Sequence, residues 1–324
     1  MINISHLVKR FGDKTAVNDI SFTVEEGEIV GFLGPNGAGK STTMNILTGY
    51  LSSTSGTAEI DGIDILESPS EAKKKIGFLP EQPPLYLDMT VQEYLNFVYD
   101  LKGCKLNRKK HIEEICEVVK ITNVYKRIIK NLSKGYKQRV GIAQALIGNP
   151  KVIIFDEPTI GLDPKQIIEI RNLIRTLGKN HTVILSTHIL PEAQAVCDRI
   201  IIINEGKLVA NEKRENLSNL IKGNRSFEVQ ICGPQKDVLL QLKSMQGVSY
   251  VDYLGNSDLD SHSFIIESQP GIDIRKTLFY MLAKNNWPLI SISAMGATLE
   301  DIFISLVDQS EESAKTNKSK SGRR

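Results

Sequence analysis

Cysteine is scarce in this chain of 324 residues. The four that occur, Cys104, Cys116, Cys197 and Cys232, lie far apart with no C-x-x-C pair, so their spacing supports neither a disulfide framework nor a zinc site. A reducing cytosol is the expected setting. Net charge is equally slight, +2 from 40 basic and 38 acidic residues, and sets up no long-range field that would collect nucleic acid or an acidic partner. Long apolar runs are missing too. The longest, Val152 to Phe155 and Ile200 to Ile203, are strand-sized, against the roughly 20 apolar residues that a membrane helix needs. The opening Met1-Ile2-Asn3-Ile4-Ser5-His6 leads straight into patterned sequence, so no leader peptide is expected. What remains is an ordinary composition, long enough for about two domains with full cores.

Against this background, Gly34-Pro35-Asn36-Gly37-Ala38-Gly39-Lys40-Ser41-Thr42 fits the phosphate-binding pattern G-x-x-x-x-G-K-[S/T] at every fixed position. Glycines at 34, 37 and 39 let the backbone turn its N–H groups inward around a phosphate, Lys40 adds a point charge, and the Ser41 hydroxyl is suited to Mg²⁺. The flanks supply the context the motif requires: Ile29 to Leu33 reads as a short buried strand and Lys40 to Thr48 as a helix stopped by Gly49. A nucleoside triphosphate is the implied ligand.

Further strands are expected at Ile2–Leu7, Ser21–Val24, Gly56–Ile60, Ile76–Leu79, Val152–Phe155, Val183–Ser186 and Arg199–Asn204. Several are near-continuous apolar runs, as in a parallel sheet buried on both faces. Between about residues 85 and 148 the pattern turns helical, at Val91–Leu101, Arg108–Val119 and Ser133–Ile147, and reads as an insertion into a doubly wound α/β core. A polar stretch from Asn211 to Asn224 separates residues 1–215 from a second unit, 216–308. Its order is strand 226–232, helix 236–245, strands 248–253 and 263–267, helix 273–284, strand 289–293 and helix 299–307, a small α+β ferredoxin-like domain. Residues 309–324 are expected to form a disordered basic tail.

Val152 to Phe155 ends in Asp156 and Glu157. A strand end beside a phosphate loop is where a carboxylate reaches the metal, which assigns Asp156 to Mg²⁺ and leaves Glu157 to polarise a water against the γ-phosphate. Adjacent acids after a strand also occur as a plain solvated turn. His188, in Ser186-Thr187-His188, follows the next apolar strand and is placed to donate to the γ-phosphate, unless it is a structural histidine. Leu132-Ser133-Lys134-Gly135-Tyr136 opens a helix whose N-cap is Ser133, and Gly135 allows a close approach of backbone, so free N–H groups could serve an anion there.

In this order the motifs resemble the ATP-binding subunits of ABC transporters over residues 1 to about 215. The resemblance implies a P-loop NTPase core with a helical insertion, binding ATP and Mg²⁺ and hydrolysing ATP. It makes Gly34 to Thr42 the Walker A loop, Gln82 in Leu79-Pro80-Glu81-Gln82 the Q-loop residue, and Val152 to Glu157 Walker B. Likewise Leu132 to Tyr136 is the signature, Gly161-Leu162-Asp163 the D-loop and His188 the switch histidine. Ser41, Gln82 and Asp156 are then the metal set, and Phe11 is the aromatic that stacks on adenine, or else an ordinary core ring. Ser133 and Gly135 would serve the nucleotide of a partner subunit in a head-to-tail homodimer or heterodimer, with Asp163 at its interface. Lys134 and Tyr136 depart from the usual L-S-G-G-Q.

The segment Gly296 to Phe303 and the appended unit look like the drug- and polymer-exporting branch, and the Leu-Ser-Lys-Gly-Tyr wording is similar to its gliding-motility members. That implies a separate integral-membrane permease as partner and a place on the cytoplasmic face of the membrane. The apolar cluster Leu85, Tyr86, Leu87 and Met89 is the expected permease contact, or else core of the helical insertion. A soluble relative acting on ribosomes or DNA is the alternative, though no second ATPase unit and no heptad insert is present.

Overall fold

The computed structural model describes residues 1–216, 226–258, 261–269 and 271–295. The chain divides into two units, Met1–Arg214 and Glu215–Arg324.

The first unit holds two sheets. Strands β1 (Ile2–Phe11), β2 (Lys14–Val24), β4 (Ser55–Ile60) and β5 (Ile63–Asp64) form an antiparallel sheet in the order β2-β1-β4-β5. Strands β3 (Ile29–Leu33), β6 (Ile76–Leu79), β7 (Val152–Asp156), β8 (Thr182–Thr187), β9 (Arg199–Asn204) and β10 (Lys207–Lys213) form a second sheet in the order β10-β9-β3-β8-β7-β6. Within it β9-β3-β8-β7-β6 is parallel and β10 is antiparallel on β9. The first strands are therefore not part of the wound core. Ile2, Ile4 and Leu7 are buried while Asn3 is exposed, the alternation of a sheet that packs one face inward. Residues Ile4, Leu7 and Val17 share one apolar cluster with Phe32, Met44, Ile154 and Ile201 of the second sheet and the helix behind it.

Helix α1 (Lys40–Leu47) follows β3, and α2 (Pro69–Lys74) precedes β6. The insertion consists of α3 (Val91–Leu101), α4 (Arg108–Val118) and α5 (Lys134–Leu146). Helix α3 begins where its capping box dictates: Thr90 Oγ1 accepts from the Glu93 N–H at 3.2 Å, and Glu93 Oε2 accepts from the Thr90 N–H at 2.8 Å. Lys102 closes α5, its ammonium donating to the carbonyls of Gln144, Ala145 and Ile147 at 3.1, 3.2 and 2.9 Å. Helices α6 (Pro164–Leu177) and α7 (Leu190–Val196) complete the unit.

The expected polar stretch starts later than residue 211, because Lys207–Lys213 is the edge strand β10, whose outward side chains are polar. Among the described residues, no helix is long and apolar enough to cross a membrane.

The second unit runs β11 (Ser226–Cys232), α8 (Gln235–Ser244), β12 (Val248–Asp258), β13 (Ser261–Ser268), α9 (Arg275–Lys284) and β14 (Leu289–Met295). Its antiparallel sheet has the order β12-β13-β11-β14, and Phe227, Val229, Ile231, Phe264 and Ile266 bury one face against Val238, Leu242, Leu278 and Leu282 of the helices. The expected helix 299–307, the segment Gly296 to Phe303 and the basic tail lie outside the described residues.

Candidate active site

Strand β3, buried along its whole length, delivers the chain to a loop that α1 terminates. Lys40 folds back into this loop. Its ammonium donates to the Gly34 carbonyl at 2.7 Å and the Pro35 carbonyl at 3.2 Å, and the residue is 6% exposed. Two of the glycines are forced by contact. Gly39, at φ +108°, would place a Cβ 2.5 Å from the Ala16 carbonyl oxygen, and a Cβ on Gly34 would lie 2.3 Å from that of Ile203. No side chain caps α1, so the N–H groups of its first turn have no side-chain acceptor and its positive end faces the loop. Burial lowers the Lys40 ammonium from its ordinary pKa, and the charges of Glu157 and Asp156 oppose that shift.

The acids close the site from β7. Glu157 stands at φ +50°, a left-handed conformation that costs a non-glycine residue on the order of 1–3 kcal/mol and needs surrounding contacts to persist. Those contacts are present. Its N–H donates to the Ser186 carbonyl at 2.9 Å, and its Oε1 lies 2.9 Å from His188 Nδ1 and 3.7 Å from Lys40 Nζ. Asp156, directly before it, is 4% exposed, and its Oδ1 is buried with no hydrogen-bond partner. A buried carboxylate oxygen left unpaired is costly, and a hard cation is the group that satisfies it. The donor set of Asp156 and the Ser41 hydroxyl therefore fits Mg²⁺.

A cavity of about 550 Å³ opens over these groups. Phe11, Asn36, Gly37, Gly39, Lys40, Ser41, Thr42, Glu157 and His188 line it. Phe11 is 48% exposed at the cavity edge, with the Lys9 ammonium 5.0 Å from its ring centre, so it is not a core ring. Gly34 and Pro35 hold Lys40 through their carbonyls, and Ala38 is buried in the turn, its N–H donating to Pro35 at 3.2 Å.

Gln82 is exposed and does not line the cavity; Glu81, one residue earlier, does. Ser133, Gly135 and Asp163 also lie away from this cavity. Ser133 Oγ caps α5 by accepting from the Tyr136 N–H at 3.4 Å, and Asp163 caps α6 by accepting from the Gln166 N–H at 2.9 Å. Gly135 is buried beneath Gln166, whose amide group would sit 2.6 Å from a Cβ added there.

Sequence reasoning missed Lys14, Ala16 and Ile160, which line the cavity with Glu81. Lys14 had a readable signal: Gly12-Asp13 is a turn, with Gly12 at φ +55°, and it sets Lys14 across the hairpin from Phe11.

Comparison with known proteins agrees with this geometry. The ABC transporter family pattern matches residues 17–160. The bacitracin transport ATP-binding protein BcrA of Bacillus licheniformis is 34% identical over 310 residues, 95% of this chain and 97% of that protein. The chain belongs to the ATP-binding subunits of ABC transporters. A second relative of this ABC subunit, the linearmycin resistance ATP-binding protein LnrL of Bacillus subtilis, is 32% identical over 94% of this chain and 98% of its own. Among solved structures, a dimeric ATP-binding cassette in a post-hydrolysis state with ADP and Pi is 30% identical, with a TM-score of 0.60 over 66% of this chain and 99% of that one. As a member of this family the subunit is an ATPase.

Proposed function

We propose that this subunit hydrolyses ATP within a head-to-tail dimer and thereby powers export through a separate membrane permease, docked from the cytoplasmic side. The observation that carries the hydrolytic part is the Glu157 carboxylate, buried and held between His188 and Lys40 at the phosphate loop. In this reading Lys40 and the loop N–H groups bind the β- and γ-phosphates, and Phe11 stacks on the base. Mg²⁺, held by Asp156 and Ser41, would supply charge neutralisation on the phosphate oxygens. Glu157 orients the attacking water. His188, bonded through Nδ1 to Glu157, fixes the direction of that carboxylate and leaves Nε2 for the γ-phosphate, to which it donates when the ring is doubly protonated.

The dimer is supported by what the cavity lacks. Ser133, Gly135 and Asp163 stand outside it, and the similar solved cassette is a dimer, so these residues are assigned to a nucleotide on the partner subunit. Export follows the names of the relatives, one for bacitracin transport and one for linearmycin resistance. For the permease contact we favour the exposed edge of the insertion. Tyr86 is 54% and Leu87 48% exposed, and Tyr86 meets Phe97 edge-on at 5.3 Å. Beside them a groove of about 640 Å³, lined by Tyr50, Phe78, Pro84 and Lys102, could accept a helix.

The test is Glu157→Gln. The amide keeps the shape but cannot act as base, so ATP affinity should persist while turnover falls by at least about 100-fold. An ATP-bound dimer should then elute earlier on size-exclusion chromatography. Normal hydrolysis by the variant would sink the assignment.

A further inference from the structure

A second, buried carboxylate stands behind the hydrolytic pair. Glu192, in the first turn of α7, is 3% exposed. Its Oε2 accepts from Thr159 Oγ1 at 2.6 Å and from Thr187 Oγ1 at 3.5 Å, and its Oε1 lies 3.3 Å from the Arg171 guanidinium on α6. Thr187 Oγ1 in turn accepts from the Ile189 N–H at 3.1 Å, which fixes the backbone on the far side of His188.

The chain positions of these partners give the network its meaning. Thr159 is two residues beyond Glu157, and Thr187 immediately precedes His188. One carboxylate thus ties the segment carrying the base to the segment carrying its histidine, and Arg171 anchors that carboxylate to α6. We infer that Glu192 is a positioning residue for hydrolysis: it holds the Glu157–His188 contact at bonding distance without touching nucleotide.

A structural staple alone is the competing account, since burying a carboxylate is tolerated only with partners of this kind. The two differ in what a variant changes. The phosphate loop hangs on β3 and α1, and none of the hydrogen bonds or ion pairs of Glu192 reaches it. Loosening the 157–188 contact should therefore lower kcat and leave nucleotide binding alone, because misplacing a reacting group by about 1 Å costs up to about 100-fold.

The experiment measures steady-state ATPase kinetics and binding of a fluorescent ATP analogue for Glu192→Ala, Glu192→Gln, Thr159→Val and Glu192→Ala/Thr159→Val, with Glu157→Gln alongside. Expected are a fall in kcat of about 10- to 100-fold for Glu192→Ala, KM and analogue affinity within about twofold of wild type, and a double variant no slower than Glu192→Ala. Glu192→Gln, which can still accept from Thr159, should recover part of the rate; it also carries the test if the alanine variant does not fold. Wild-type kcat in both Glu192→Gln and Thr159→Val would overturn the inference, as would additive losses in the double variant or a rise in KM matching the fall in kcat. The inference rests on Glu157 as the base. If Glu157→Gln hydrolyses normally, both readings fall; if Glu157→Gln is inactive while the Glu192 and Thr159 variants are normal, only this one does.

Discussion

Lys40→Ala separates binding from chemistry at the phosphate loop. The substitution removes an ammonium that is 6% exposed, bonded to two carbonyls and 3.7 Å from the Glu157 carboxylate. A phosphate oxygen taking a similar distance from that ammonium gains about 4 kcal/mol at an effective dielectric constant near 20. Not all of this is new on binding, because the free protein already sets the ammonium against Glu157. A net loss of roughly 2–3 kcal/mol remains, which corresponds to about 30- to 150-fold weaker ATP binding. Isothermal titration at fixed Mg²⁺ and ionic strength measures it. The freed carbonyls of Gly34 and Pro35 are left beside a solvent-accessible cavity, where water can replace the ammonium, so the melting temperature should move little. Equal ATP affinity in wild type and Lys40→Ala would refute the assignment of this cavity to the phosphates.

Charge at the exposed edge of the insertion should act differently: Tyr86→Glu is expected to uncouple transport in reconstituted vesicles while ATPase activity in detergent persists, and loss of the native circular dichroism spectrum would instead assign Tyr86 to the core. Lys102→Met should destabilise the subunit by about 1–3 kcal/mol in urea titration at pH 7.5, since the carbonyls closing α5 lose their donor. Burial pushes Lys102 down to about 8 from the ordinary 10.5, so between those values the unfolded chain holds more protons than the folded one. Wild-type stability relative to Lys102→Met should accordingly rise from pH 8 towards 10; a flat or falling difference would contradict the buried ammonium.

What the sequence made legible follows from burial. Strands β3, β7, β8 and β9 are covered on both faces, so their apolar runs are uninterrupted and their observed limits lie within a residue of those expected. Helix α3 was equally plain, for its capping box is local chemistry. The N-terminal hairpin was read short. Its outer part carries Lys9, Arg10, Lys14 and Thr15, whose polarity erases the alternation, yet the ladder pairs Arg10 with Thr15 and Phe11 with Lys14. Helix α6 was passed over although Asp163-Pro164 is a readable N-terminus, a cap followed by proline at the first helical position. Helix α7 has no capping side chain and its N-cap is Ile189, so its start is announced only by Pro191 and Glu192 in its first turn, and with the helix went Glu192.

Glu81 lines the cavity, whereas Gln82 next to it does not. The difference matters for charge. With Glu81, the cavity wall carries two carboxylates, Glu81 and Glu157, against two ammonium groups, Lys14 and Lys40, and Asp156 lies buried near Lys40. The fixed charges of the pocket thus sum to nearly zero or below, whereas a bare nucleoside triphosphate brings several negative charges of its own. Lys40 cannot offset those alone while it also faces Glu157 at 3.7 Å. A divalent cation entering with the nucleotide removes the conflict, and it gives the unpaired Asp156 Oδ1 a partner in the same step, which supports the reading that the substrate is the magnesium complex of ATP.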